Sequence, residues 1–266
     1  MPLIYSALVP HSPVLLPTIG KELVSKVDLT IHSLNQIKKK LERLNPECII
    51  IISSHASLQK NSQELYLAVP GESYKASYEQ FGDLETKNSY QTDHVLADAI
   101  KNEFVQHAII PSYRSEEQMD YPTSIPLYFL AEKLLSKIVI LHIPETVSLL
   151  HCEQYGILLK NALQSFPKKS VILASANLSH RLTNEAPGGF HEDAKKFDEA
   201  WVQTLRNTKK KKLEPFQTEL IQSVAACGIP AILTLLGSLH NLSYRTKFYS
   251  YEGNVGVGHV VVEYTF

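Results

Sequence analysis

Tryptophan occurs once, methionine twice and cysteine three times in 266 residues, and the charges nearly cancel, leaving a net −1. Three cysteines in a chain of this length exclude a disulfide framework. Cys48 and Cys227 stand in apolar surroundings, "ECIIII" and "AACGIP", and read as small buried hydrophobes. The charge balance offers nothing to a polyanion, which argues against a nucleic-acid partner. The short basic runs Lys38–Lys40 and Lys209–Lys212 read as solvated helix faces or ends. No apolar run approaches the roughly eighteen residues that a membrane span needs. The chain opens on a strand, without a basic leader or cleavage site, and the expectation is a soluble, cytoplasmic protein. Repeats, Gly/Ser linkers and low-complexity tracts are missing as well. One domain over residues 1–266 is the economical reading.

What is present is an alternation of strand and helix signals. "LIYSALV" (Leu3–Val9), "CIIIIS" (Cys48–Ser53), "KIVILHIP" (Lys137–Pro144) and "SVILASAN" (Ser170–Asn177) are short, continuous apolar runs, as strands buried on both faces should be. "HAIIP" (His107–Pro111) and the more alternating "ELYLAVP" (Glu64–Pro70) read as further strands. Between them lie amphipathic stretches, the longest being Lys21–Leu44, with apolar residues at Leu23, Val27, Ile31, Leu34, Ile37 and Leu41. Others cover His94–Phe104, Thr123–Leu135, Ser148–Phe166, His191–Asn207, Leu213–Val224 and Cys227–Leu239. Two strands, "YRTKFYSYE" and "GHVVVEYTF", close the chain as an antiparallel or mixed edge. Crossovers of this length imply an α/β fold with a largely parallel central sheet and helices on both faces.

Three histidines follow strand ends. His11 comes after Leu3–Val9 and Pro10, His55 after Cys48–Ser53, and His180 after Ser170–Asn177. In an open α/β sheet the crevice beyond the carboxyl ends of the strands is where ligands bind. Three imidazoles at equivalent ends can meet there, and neutral imidazole is both a metal ligand and an acid/base near neutrality. Glu252, in "YSYEGNVGVG" between the last two strands, adds a carboxylate. Two histidines and a carboxylate around a divalent metal make the facial triad of non-haem Fe(II) oxygenases. A zinc hydrolase and purely structural histidines are the competing readings of the same residues. His142, in "ILHIPE", also follows a strand and could line the crevice.

The order and spacing of "VPHSPVLLPTIG", "IIIISSHAS", "FGDLE", "MDYPTSIPLYFL", "ASANLSHRL", "FDEAWVQTL", "AACGIPAILTLLG" and "SYEGNVGVGHVVVEY" resemble the class III extradiol ring-cleavage dioxygenases of the LigB type, with the Memo proteins as distant relatives. The resemblance implies Fe(II), with zinc as the alternative on purification, held by His11, His55 and Glu252. It implies His180 as acid/base, Tyr121 in the substrate pocket, and a catechol-type aromatic with O2 as substrates. Two positions depart from the family pattern: Asn177 stands where an aspartate is common, and Tyr121 where a histidine is common. In Memo-type relatives the third ligand is a cysteine, and the function alternative to ring cleavage is a Memo-like metal-binding protein. A homo-oligomer is left open.

Overall fold

The computed structural model describes residues 3–55, 65–144, 147–207 and 218–266. Glu64, the run Lys209–Lys212 and the first residues of the stretch expected as helix over Leu213–Val224 lie outside them. In chain order the elements are β1 (Leu3–Val9), α1 (Pro17–Gly20), α2 (Asp28–Leu44), β2 (Cys48–Ser53), β3 (Tyr66–Ala68), β4 (Ser73–Tyr78) and β5 (Asp83–Gln91). Next come α3 (His94–Gln106), β6 (Ser112–Arg114), α4 (Tyr121–Leu130), β7 (Lys137–His142), α5 (Leu149–Ser165) and β8 (Ser170–Ser175). The last are α6 (Ala194–Arg206), α7 (Thr218–Ser223), α8 (Ile229–Ser238), β9 (Arg245–Glu252) and β10 (His259–Thr265). None of the helices among the described residues is long and apolar enough to cross a membrane.

Eight strands form one sheet in the order β6-β3-β7-β2-β8-β1-β10-β9. The four continuous apolar strands sit side by side and parallel at its centre. β10 and β9 extend it antiparallel from β1, and β3 pairs antiparallel with β7. The fold is therefore α/β with a mixed, mostly parallel sheet, as the alternation of signals predicts. Strand side chains alternate between faces, and both faces are covered. Leu8, Ile50, Leu141 and Ile172 pack under residues of α3, α5, α6 and α8, among them Phe104, Leu159, Trp201 and Leu235. Val9, Ile51, Ile140 and Leu173 pack on the other side with Leu34, Ile37 and Leu41 of α2 and Ile125 of α4.

Three local expectations differ from the structure. The helix expected from Lys21 runs as a 3-10 segment to Val27 and becomes α-helical only at Asp28, because Lys21 has a φ of 47° and Val27 leaves helical dihedrals. Residues 107–111 are not a strand. Ala108 takes a φ of 59°, and Pro111 has no N–H to give a ladder, so pairing starts at Ser112. The antiparallel pair β4–β5 is an addition. Its second strand, "DLETKNSYQ", is polar and mostly exposed, and carries little strand signal.

Helices α5 and α8 touch backbone to backbone at Gly156. A Cβ there would lie 2.0 Å from the Thr234 carbonyl oxygen and 2.6 Å from the Ser238 nitrogen. Alanine would gain about 1 kcal/mol of helix propensity, but neither contact is a flexible side-chain end, so the helices must separate, at about 1–3 kcal/mol or more. Gly156→Ala is therefore expected to lower the urea midpoint.

Candidate metal centre

The period-two alternation, continued past each strand's end, carries His11 from β1 and His55 from β2 to the same side of the sheet. Their rings meet edge to face, with centroids 4.9 Å apart. His11 is held from two sides. Its N–H donates to Asn177 Oδ1 at 3.2 Å, and its Nδ1 lies 2.9 Å from Ser175 Oγ at the end of β8. The Ser175 hydroxyl donates to the Pro122 carbonyl at the start of α4. A carbonyl oxygen only accepts, so the serine proton is spent there and Oγ accepts from His11 Nδ1–H. His11 Nε2 is left with its lone pair exposed, aimed at Cys227 Sγ 3.6 Å away.

Cys227 is brought to this point by a tight turn ahead of α8. Gly228, the residue before the helix, lies so close to β8 that a Cβ would sit 2.4 Å from Ala176 Cβ and 2.5 Å from the Asn177 oxygen. Only glycine allows that approach, and its N–H donates to the Asn177 carbonyl. The thiol thus stands just outside the N-terminus of a ten-residue helix, where the helix dipole favours a thiolate. Ala225, at a φ of 54°, turns its carbonyl to accept both the Cys227 N–H at 3.2 Å and His180 Nδ1–H at 2.8 Å. By the same logic as for His11, His180 presents a bare Nε2, 3.9 Å from Cys227 Sγ.

His11, His55 and Cys227 each offer a ligand atom, and these atoms lie within 4.8 Å of one another. His55 Nε2 is buried and finds no hydrogen-bond partner among the described residues. Its carbonyl accepts from His142 Nδ1 at 2.7 Å, which anchors the backbone behind it. Burial holds His11 well below the usual histidine range, helped by the neighbouring imidazoles of His55, His180 and His259. Burial likewise lowers His55 to about 4 and lowers His142 and His180. Neutral imidazoles beside a cysteine that gives up its proton on binding are the donors that a metal requires. Two imidazoles converging on a sulfur are a set that a soft or borderline metal fits.

Residues 5–262 match the family model described as the catalytic LigB subunit of aromatic ring-opening dioxygenase. The chain belongs to the LigB family. Protein CA_C1420 of Clostridium acetobutylicum is 26% identical over 267 aligned positions, covering 96% of this chain and 56% of that protein. The chain thus spans about half the length of this curated relative. The crystal structure of protein JW3007 from Escherichia coli K12 superposes with a TM-score of 0.68, covering 98% of this chain and 99% of the other at 14% identity, a likeness of fold.

In this LigB-family chain Glu252, expected as the third ligand, is not among the clustered ligand atoms, and one of its oxygens is engaged by α2. Its Oε2 accepts from the Thr30 N–H and the Thr30 hydroxyl, each at 2.6 Å. The cause lies in α2, whose N-cap is Val27, with no side chain able to cap it. A helix start with orphan N–H groups needs an acceptor, and the carboxylate at the end of β9 supplies it. The sulfur of Cys227, expected as a small buried hydrophobe, stands in the cluster beside the two imidazoles and is half-buried. Its signal in the sequence is Gly-Ile-Pro directly after the cysteine, which marks a helix start. Asn177, in the family's aspartate position, orients His11 through its side-chain oxygen. The Tyr121 ring stands 6.2 Å from His11, 6.0 Å from His55 and 5.4 Å from Phe81, beside the imidazoles.

These assignments separate cleanly by experiment. Cys227→Ser is expected to weaken metal binding at least about tenfold, since two imidazoles cannot hold an open-sided site. Glu252→Gln is expected to keep metal stoichiometry and lose about 1–3 kcal/mol of stability from the α2 cap. Metal analysis beside urea denaturation reads both.

Asp198 of α6 supports the same region from behind, accepting the Ser179 N–H at 2.9 Å and the Tyr251 hydroxyl at 2.7 Å. Burial raises its carboxyl from 3.8 to about 6. The folded state therefore holds this proton more tightly than the unfolded chain, and stability falls as pH rises through that window. Asp198→Asn is expected to gain on the parent by up to about 2–3 kcal/mol between about pH 4 and pH 7. Urea midpoints at the two pH values test it.

Proposed function

We propose that this chain is a metal-dependent oxidoreductase of the extradiol-dioxygenase type, with one metal ion held by His11 Nε2, His55 and Cys227 Sγ and a small catechol-like substrate used with O2. The observation that carries the reading is the convergence of those three ligand atoms within 4.8 Å, His11 buried and the other two half-buried, in a chain of the LigB family. A metal in such a site supplies an open coordination position and an electron path between substrate and oxygen.

The protein's own groups divide the remaining work. Ser175 and Pro122 keep His11 in the tautomer that binds. His180, with Nδ1–H fixed on the Ala225 carbonyl, takes a substrate hydroxyl proton on its bare Nε2 and returns it. Tyr121 narrows the pocket beside the two imidazoles and sets an apolar ring where the family commonly has a proton-carrying histidine. Iron(II) is the metal expected from the family. The thiolate is a softer donor than the carboxylate of the facial triad. That favours a second reading, in which the site holds zinc or copper as Memo-like relatives hold metal through a cysteine, without ring cleavage. A cytoplasmic location accompanies either reading.

Protein loaded anaerobically with Fe(II) and mixed with oxygen and a panel of catechols decides between them. Oxygen uptake coupled to ring opening, abolished by Cys227→Ser and reduced at least about 10²-fold by His180→Gln with the metal retained, supports the dioxygenase. Simple catechols are expected to be poor substrates, and Tyr121→His to improve them. Stoichiometric metal without oxygen uptake for any catechol supports the Memo-like reading.

A further inference from the structure

His259 opens β10 and is fully buried. Neither of its ring nitrogens has a hydrogen-bond partner among the described residues. A neutral imidazole carries one donor and one acceptor, and each left unpaired in the interior loses its hydration without compensation. Buried polar groups in folded proteins are nearly always paired, so this side chain calls for a polar partner.

Its position says where that partner binds. β1 and β10 pair antiparallel with Leu8 opposite Val262. Just before β10, Gly258 exchanges backbone hydrogen bonds with Leu178 and Ser179, which sets His259 beside the segment that carries His180. Across the other edge of β10, His259 pairs with Glu252. His259 therefore stands at the crest of the sheet, in a row between Glu252 and the segment that carries His180. On one side of the row Glu252 is engaged by Thr30. Close by stands His11, whose Nε2 faces the Cys227 sulfur. His259 lies near both His11 and His180. It is a neutral donor and acceptor beside the metal ligands and takes no part in the ligand cluster.

Resting on the metal reading above, we propose that His259 is a ligand-binding residue, donating its N–H to a small anion or anionic oxygen held on the open side of the metal. It would recognise the charged atom of a substrate oxygen or of an exogenous anion, and so add a fourth imidazole to a site in which two bind metal and one moves a proton.

Azide binding to the cobalt(II)-loaded protein tests this without turnover. Thiolate bound to cobalt(II) gives a near-ultraviolet charge-transfer band, and azide perturbs the cobalt spectrum. His259→Phe is expected to bind one cobalt with the parental band and to melt at the same temperature or higher. Its azide affinity is expected to fall about tenfold or more, the usual effect of losing a hydrogen bond to a charged group. His259→Asn, which keeps a donor, is expected to recover part of that loss, and His259→Leu serves if the phenylalanine variant does not fold. Equal azide affinity in the parent and the apolar variant overturns the proposal, as does a parental cobalt spectrum indifferent to azide. Absence of the thiolate band in the parent protein overturns the metal reading itself, whereas an intact band with equal azide affinity removes only the role given to His259.

Discussion

The hydroxyl of Ser175 is the small contact on which the site depends. It sits at the end of β8, gives its proton to the carbonyl of Pro122 and takes one from His11. One oxygen atom thus ties the central strand to the neighbouring strand's loop and to the first turn of α4. It also decides which nitrogen of His11 is bare. A methyl group in its place would leave the imidazole free to choose its tautomer, and the carbonyl of Pro122 without a donor. The protein's chemistry is set by hydrogen-bond direction as much as by the identity of the ligands.

The same division of labour recurs across the crest. Ala225 spends an unfavourable left-handed backbone conformation to aim one carbonyl at two donors, the ring of His180 and the amide of Cys227. Asn177 contributes two oxygens, its side chain to His11 and its backbone to Gly228. His11, His55, His180 and Cys227 come from four separate segments of the chain, and the groups that orient them are side chains at the end of β8 and backbone carbonyls of neighbouring turns.

Much of this was legible in the residues. Four unbroken apolar runs could only be strands covered on both faces, and histidines just beyond such runs had to stand at the ligand-binding edge of the sheet. His11 and His55 meet there, with His180 beside them. What periodicity could not reveal was the tertiary demand on Glu252. Nothing near that glutamate announces that a helix more than two hundred residues earlier starts on valine and lacks a cap. Cys227 was hidden for the opposite reason. Its neighbours Ala225 and Ala226 look like core, and only the glycine and proline that follow betray the helix start. The polar hairpin strand β5 escaped because half-exposed strands carry little hydrophobic signal.

The sheet changes direction at β10. Through the parallel strands the chain reaches the crest only once per unit and leaves by a long crossover. The antiparallel pair arrives at the crest on Glu252, turns within residues 253–258, and departs on His259. That turn lies against the segment after His180, where the Leu182 N–H donates to the Gly256 carbonyl. It is a short connection at the rim of the site, and no parallel strand depends on its length. Lengthening or recoding it would reshape one wall of the site while leaving the parallel core and its register untouched. Within such a scaffold, that rim can change over six residues without the fold having to be solved again.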